Sequence, residues 1–525
     1  MSTTQHLHDL SRRFGAGSAA EKVRLLDALL AAPRLSKRDQ RQLREVVSFL
    51  CAYPDNRRVL ERARLLATQL PCPESIYPYS YAVIVRLLRV GGCSLEIDWE
   101  SLEEQRPVVD ALELLLLPGE QEGLADERLS LQDWFRATRP AWARTDLEYF
   151  VGLLERSSLP PPARVTLFER CDLPIRYRGL GPHRVAVRTP SVHFQRRDVD
   201  RRKLPLPPVI RKPIGRPRRA GQGLIDRCLQ ALCARQLEIY PLIYANPEDA
   251  VWFDCGRGVR VVLVGVLPAW RSALESLYFF MVIKNGVPVA YGPASALAGC
   301  CEMGINLFPE FRGAEIRFIY SQFMRVLHHR LGVDYFFLTP YGMGEDNLDA
   351  LASGAFWFYR KLGFAPSNPA VEALAREEEA HMAADPGHRS DRRTLRRLSH
   401  TEAILDLTHG RRTRLDLGRL GLQESRLIAH RHAGDRARAR RRCAATMGRL
   451  LNLAPADPAL RVLAPTLSLI PDLRDWGRAD LKRLARFVQA KGAPSEAAAA
   501  RMLASHGRLV TALADCATAE GAPAS

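Results

Sequence analysis

Over the first 70 residues the apolar side chains recur at helical spacing. Val23, Leu25, Leu26, Leu29 and Leu30, and then Leu43, Val46, Val47 and Leu50, share one face of a 3.6-residue turn. The pattern predicts a helical module, continued by Ala82–Leu88, Pro107–Leu117 and Asp146–Leu154 with Pro and Gly punctuation between the pieces. No fixed repeat period emerges. From Leu159 to Gly223 the periodicity gives way to PPP at 160–162, LPLPP at 204–208 and RKPIGRPRRAGQG at 211–223. Proline removes backbone donors and holds the chain extended, so this stretch reads as a linker or strand-bearing arm.

Beyond it the period changes again. A helix is expected over Leu224–Leu237, then strands at Val259–Leu267 and Leu277–Lys284. Asn285-Gly286 is a two-residue hairpin signal, because both positions tolerate positive φ, and it leads into a strand over Val287–Tyr291. A strand through Glu302–Phe308, an amphipathic helix over Ile316–Leu331, a strand at Tyr335–Thr339 and a helix over Leu348–Leu362 follow. The remainder reads as a charged connector, a short strand at Ala403–Leu407, helices around Ser425–Leu451 and Asp480–Val488, and a disordered end. The fold class expected is α+β: a mixed β-sheet domain flanked by N-terminal and C-terminal mainly α-helical regions. Its divisions are 1–158 helical, 159–223 linker or arm, 224–375 the sheet domain, 376–518 a basic helical region and 519–525 a tail.

Composition changes this picture in three ways. A chain of 525 residues that is 47% hydrophobic exceeds what one core organises. The net charge of +18 is regional, with 161–220 and 391–525 each carrying roughly +12. Such segments attract phosphate-rich partners or acidic protein surfaces. The eleven cysteines contain no C-x-x-C pair, which argues against a zinc site or a disulfide framework; reduced, mostly buried thiols and no metal are expected. Apolar runs such as Val261–Leu267 fall far short of the roughly 20 residues of a membrane span. With no apolar stretch behind the first residues either, no membrane association and a cytoplasmic location are expected.

Two motifs carry chemistry. Gly215-Arg216-Pro217 resembles the core of an AT-hook, a minor-groove DNA binder, with Ile214 where that motif has arginine. More extensive is the pair formed by FPEFRG at 308–313 and GAFWFYRKLGF at 354–364. Pro309, Arg312 and Gly313 in the first, and Ala355, Tyr359, Gly363 and Phe364 in the second, resemble the ordered signatures of the GNAT superfamily of acyl-CoA-dependent N-acyltransferases. The likeness spans about 90 residues.

What this resemblance implies is acetyl-CoA or another acyl-CoA as co-substrate, an amine-bearing acceptor and no metal. The pyrophosphate would sit on the loop and helix start at Arg312, Gly313, Ala314 and Arg317, where free backbone donors and the helix dipole favour anions. The pantetheine arm would pair with backbone near Leu307 and Phe308 like an added strand. Tyr359 is the candidate acid and Glu302 the candidate base, with Glu345 and Asp346 as further carboxylates. Tyr359 reads equally as a core aromatic. The family loop, arginine-x-x-glycine-x-glycine, has Glu315 and Arg317 here at its two glycine positions, and Ala352 stands where many members have asparagine. His328 and His329 are expected to lie beside Arg325, away from the cleft. Two functions remain open: an N-acyltransferase, or a non-catalytic scaffold of the same fold binding nucleic acid or a protein through its basic segments.

Overall fold

The structure, a computed structural model, describes residues 2–31, 36–72, 74–126, 128–179, 191–197, 206–313, 315–410 and 412–518. Ala314 and the tail 519–525 lie outside the described residues. The chain divides into two units, one of residues 1–198, 221–244 and 283–289, the other of 199–220, 245–282 and 290–525.

In the first unit the helical periodicity resolves into Thr3–Ser11, Ala16–Leu30, Lys37–Ala52 and Arg57–Gln69. Ser2, Ser36 and Asn56 start three of these by accepting a backbone N–H of the first turn, which satisfies a donor the helix leaves open. Leu26, Val46, Leu50 and Leu66 are buried between them. Inside this apolar packing Lys22 Nζ lies 2.8 Å from Asp55 and donates to the Arg13 carbonyl. The unit also contains a sheet that periodicity did not reveal, with strands β1 (Glu74–Tyr77), β2 (Ser94–Ile97) and β3 (Ile175–Arg178) in the order β1-β3-β2, all antiparallel. Each is only four residues long, too short for a two-residue period to stand out. β3, and the helix Pro161–Arg170 before it, come from the stretch read as a linker or arm. Asn285 and Gly286 both adopt positive φ, as a tight hairpin turn requires, and the Asn285 amide donates to the carbonyls of Ala52 and His193.

The second unit is organised by a mixed ten-stranded sheet, formed by β4 (Arg218–Arg219), β5 (Ala245–Asp254), β6 (Val259–Val266), β7 (Ser276–Lys284), β8 (Val287–Leu297), β9 (Cys300–Glu302), β10 (Asn306–Leu307), β11 (Tyr335–Leu338), β12 (Ala365–Pro366) and β13 (Ala403–Asp406). The order is β12-β13-β11-β9-β8-β7-β6-β5-β4, with β10 paired to β8. β9 and β11 are parallel neighbours, and the helix Ile316–Leu331 crosses between them. Continuous apolar runs explain the centre: every residue of β6 is buried, as expected of a strand covered on both faces. Phe280 of β7 stacks on Phe323 of the crossover helix at 3.8 Å between centroids, which fixes the helix over one face.

Helical predictions around this sheet hold in type and fail at breaks. The expected helix 348–362 is two helices, Leu348–Ser353 and Ala355–Lys361, separated by Gly354 in the left-handed region. The expected helix 425–451 is likewise Leu417–His432 and Arg436–Leu451, parted at Ala433-Gly434. The C-terminal helices pack around Leu463, Leu467, Leu484, Phe487, Leu509 and Leu513. All eleven cysteines are free and most are buried. Among the described residues no helix is long and apolar enough to cross a membrane.

One polar knot ties the sheet to the C-terminal helices. Asp249 of β5 is fully buried and accepts from Tyr278 of β7 at 2.7 Å, from Arg330 of the crossover helix at 3.3 Å, and from Ser495 and the Glu496 amide at 2.5 and 3.0 Å. Asp249→Ala should therefore lower unfolding stability by roughly 3 kcal/mol, because it strands a half-buried guanidinium and a buried phenol. Urea denaturation checks this, with Asp126→Ala, whose exposed partner is Arg128, leaving the midpoint unchanged.

Candidate functional site

Strand pairing in the ten-stranded sheet fails at one place that matters for chemistry. β9 runs parallel to β11 with Cys300, Cys301 and Glu302 opposite Tyr335, Phe336 and Phe337, and Met303 N–H adds a last bond of 2.7 Å to the Phe337 carbonyl. Three residues on, the chain resumes as β10, which pairs with β8 alone, Asn306 opposite Tyr291 and Leu307 opposite Ala290. Among the described residues no strand takes its other edge. β11 meanwhile ends at Leu338 and turns into Thr339-Pro340. The expected single strand 302–308 is thus two short strands, and beyond Met303 no pairing joins β10 to β11 among the described residues, which leaves a gap in the pairing.

Gly292 of β8 allows the Phe280 ring and the chain at Gly304 to approach closely there. A β-carbon at this position would come within 2.7 Å of the Phe280 ring and 3.2 Å of the Gly304 carbonyl. Beyond β10, Phe308 is buried and stacks on Tyr291 at 4.9 Å, anchoring the strand at its exit. A single turn over Pro309–Phe311 then brings Arg312, exposed, and Gly313, whose φ of +79° favours glycine, to the start of the crossover helix. Leu307, Phe308, Arg312, Gly313 and Arg317 accordingly follow one continuous path from the gap to the helix N-terminus. Ala314, also expected on this path, lies outside the described residues.

Glu315 occupies the N-cap position without capping through its side chain. Its buried carboxylate accepts from Arg257 Nη1 at 2.8 Å, and that guanidinium also lies over the Phe318 ring at 4.7 Å. Arg257 sits in the β5–β6 turn, on the opposite side of β8 from β11. The carboxylate is therefore compensated by Arg257. Sequence reasoning missed Arg257 because a Gly-Arg-Gly turn carries no sign of its remote partner.

Tyr359 lies on the helix-covered face. Its ring packs against Tyr320 of the crossover helix at 5.7 Å and against Phe364 at 6.0 Å. Burial pushes its phenol up to about 12. Tyr320 beside it is fully buried, and its hydroxyl has no hydrogen-bond partner among the described residues. Burial drives this phenol well above its ordinary range too, with Tyr359 and Cys301 nearby. Strand alternation sends the next residue, Glu302, to the opposite face, where it is exposed and accepts from Thr339 Oγ1 at 3.1 Å. The candidate acid and base thus stand on opposite faces of the sheet where the strands part. Thr339 is a further site residue that carried no sequence signal.

The remaining candidates are occupied otherwise. Glu345 pairs with His400 at 2.8 Å, and Asp346 is a turn residue with positive φ. His328 bonds the Val333 carbonyl and His329 the Lys212 carbonyl, which Arg325 also contacts.

A phenol that titrates at about 12 remains protonated through neutral pH. In an ultraviolet titration, Tyr359→Phe should differ from the parent around pH 12 and not near the ordinary tyrosine value of about 10. A difference already present at the lower pH would place this hydroxyl in solvent. Comparisons with protein-family models, curated proteins and solved structures found no match to this chain.

Proposed function

We propose that the second unit is an N-acyltransferase of the GNAT type that moves an acyl group from acyl-CoA to an amine. One observation carries the reading: pairing between neighbouring strands lapses after Met303, directly ahead of a glycine turn and a helix N-terminus. The resemblance in the two motifs and the order of strands around a parallel pair with a helical crossover point the same way.

The residues fit the co-substrate at three levels. The unpaired edge of β10 offers amide groups to the pantetheine arm as a strand would. The N-terminus of the Ile316–Leu331 helix follows that edge in the chain and would favour an anion, and Arg312 and Arg317 would add positive charge for a pyrophosphate. Glu315, whose carboxylate would repel phosphate, has that carboxylate on Arg257.

Acyl transfer would then proceed with Glu302 taking a proton from the acceptor amine as its nitrogen forms the new bond to the thioester carbonyl carbon. Collapse of the tetrahedral intermediate breaks the carbon–sulfur bond. The leaving thiolate takes its proton from Tyr359, which burial keeps in the acid form. Proton exchange with solvent restores both groups. Because the two groups lie on opposite faces, donor and acceptor would enter from opposite sides of the gap.

Calorimetry with acetyl-CoA and the non-transferring analogue desulfo-CoA tests the reading; absence of binding by both at millimolar concentration removes it. Where turnover is measured with a responding amine, Tyr359→Phe should lower kcat by roughly 10²-fold or more, with little change in desulfo-CoA affinity. Equal turnover would return Tyr359 to the core.

A second reading, a nucleic-acid-binding scaffold, draws on the helix Arg436–Leu451. Arg436, Arg438, Arg440, Arg441 and Arg442 are all exposed, and none forms an ion pair with a carboxylate among the described residues. If this surface binds duplex DNA, affinity falls steeply between two salt concentrations, and replacing Arg440, Arg441 and Arg442 by Gln lowers the slope by about one for each lost phosphate contact. A slope unchanged by that replacement places the contact elsewhere.

A further inference from the structure

A cluster outside the gap carries a different chemistry. We infer that Glu378, His381 and His388 form a binding site for a zinc-class divalent cation. The proposal stands independently of the acyltransferase reading.

The helix Pro369–Ala384 contains a run of three glutamates, and their fates differ. Glu379 pairs with Arg360, Glu377 is exposed, and Glu378 is buried although no Lys or Arg pairs with it among the described residues. Three residues on, His381 lies on the same helical face, with Nδ1 3.7 Å from Glu378 Oε1. The helix then stops, and Asp385 closes a reverse turn by accepting the Gly387 amide at 2.7 Å and the His388 amide at its carbonyl at 3.0 Å. This turn brings His388 back so that Nε2 is 3.1 Å from Glu378 Oε2. The two imidazoles stand 5.4 Å apart at 72°, and one donor atom from each of the three residues falls within 4.8 Å of the others.

Two imidazoles and one carboxylate form a donor set that zinc accepts, with the fourth position left to water or another ligand. Bond lengths near 2.0–2.2 Å require donor atoms about 3.3 Å apart, so side-chain rotation about existing bonds closes the set. The second layer of the site is already built. Ser390 Oγ donates to Glu378 Oε2 and accepts from Trp357 Nε1 at 3.1 Å, which orients the carboxylate and links it to the helix Ala355–Lys361. His381 is half-exposed and leaves a path for the ion. The pattern escaped sequence reading because E-x-x-H followed by a histidine seven residues later falls in a stretch that reads only as charged connector.

Untagged full-length protein, stripped with a chelator, should bind one equivalent of Co²⁺ that Zn²⁺ displaces, and its tryptophan emission should change on loading. His381→Ala and His388→Ala should each weaken Zn²⁺ affinity by tenfold or more. Ser390→Ala should weaken it by roughly tenfold, and Trp357→Phe should remove the emission change while keeping the stoichiometry. Both histidines are exposed enough that their loss leaves the fold intact, which circular dichroism checks. No binding at millimolar metal overturns the site. So does a stoichiometry that survives the double histidine replacement, since the ion would then sit elsewhere, as on the exposed thiol of Cys72.

Discussion

The single hydrogen bond from Met303 N–H to the Phe337 carbonyl marks the boundary on which the proposed acyl-CoA site depends. Up to it, β9 and β11 form an ordinary parallel pair; beyond it, the chain leaves β11 and pairs with β8 alone. A strand edge without a partner is a ready template for pairing with another chain or ligand. Here β10 takes no strand on its other edge among the described residues, and the N-terminus of the crossover helix follows a few residues later. Under the proposed reading the strand edge would take the amides of an acyl-CoA and the helix start its pyrophosphate.

Holding a sheet open in this way needs stiffness around the opening. Phe308 stacked on Tyr291 fixes one lip, and Thr339 bonded to Glu302 bridges toward the other. Behind them the crossover helix is pinned by Phe323 on Phe280 and by Arg330 on Asp249. The buried charges around Asp249, together with the nearby pair of Lys491 and Glu496, give directional bonds that apolar packing lacks. Such a network contributes little net stability when complete and costs several kcal/mol when one member is removed. Its value lies in fixing which helix packs on which strand.

Much of this was legible in the residues. Asn285-Gly286 gave the hairpin because few other pairs adopt two positive φ angles, and the apolar runs of β6 and β7 and the span of the Ile316–Leu331 helix followed from period alone. What was not legible depended on distant partners or on short elements. The four-residue strands β1, β2 and β3 have no room for a pattern, and the break after Met303 shows only through Gly292, a glycine on another strand. At the site, Tyr359 and Glu302 could be named from motif and strand position, but their placement on opposite faces could not. The carboxylate of Glu315 read as an obstacle to phosphate until Arg257, 58 residues earlier, was seen to hold it.

The most direct measurement is hydrogen exchange by mass spectrometry with and without desulfo-CoA. The account predicts that peptides covering Gly304–Phe308 and the start of the helix at Ile316 exchange more readily than β9 in the free protein and become protected when the ligand is added. Protection confined to other segments, or no protection at saturating ligand, would contradict it.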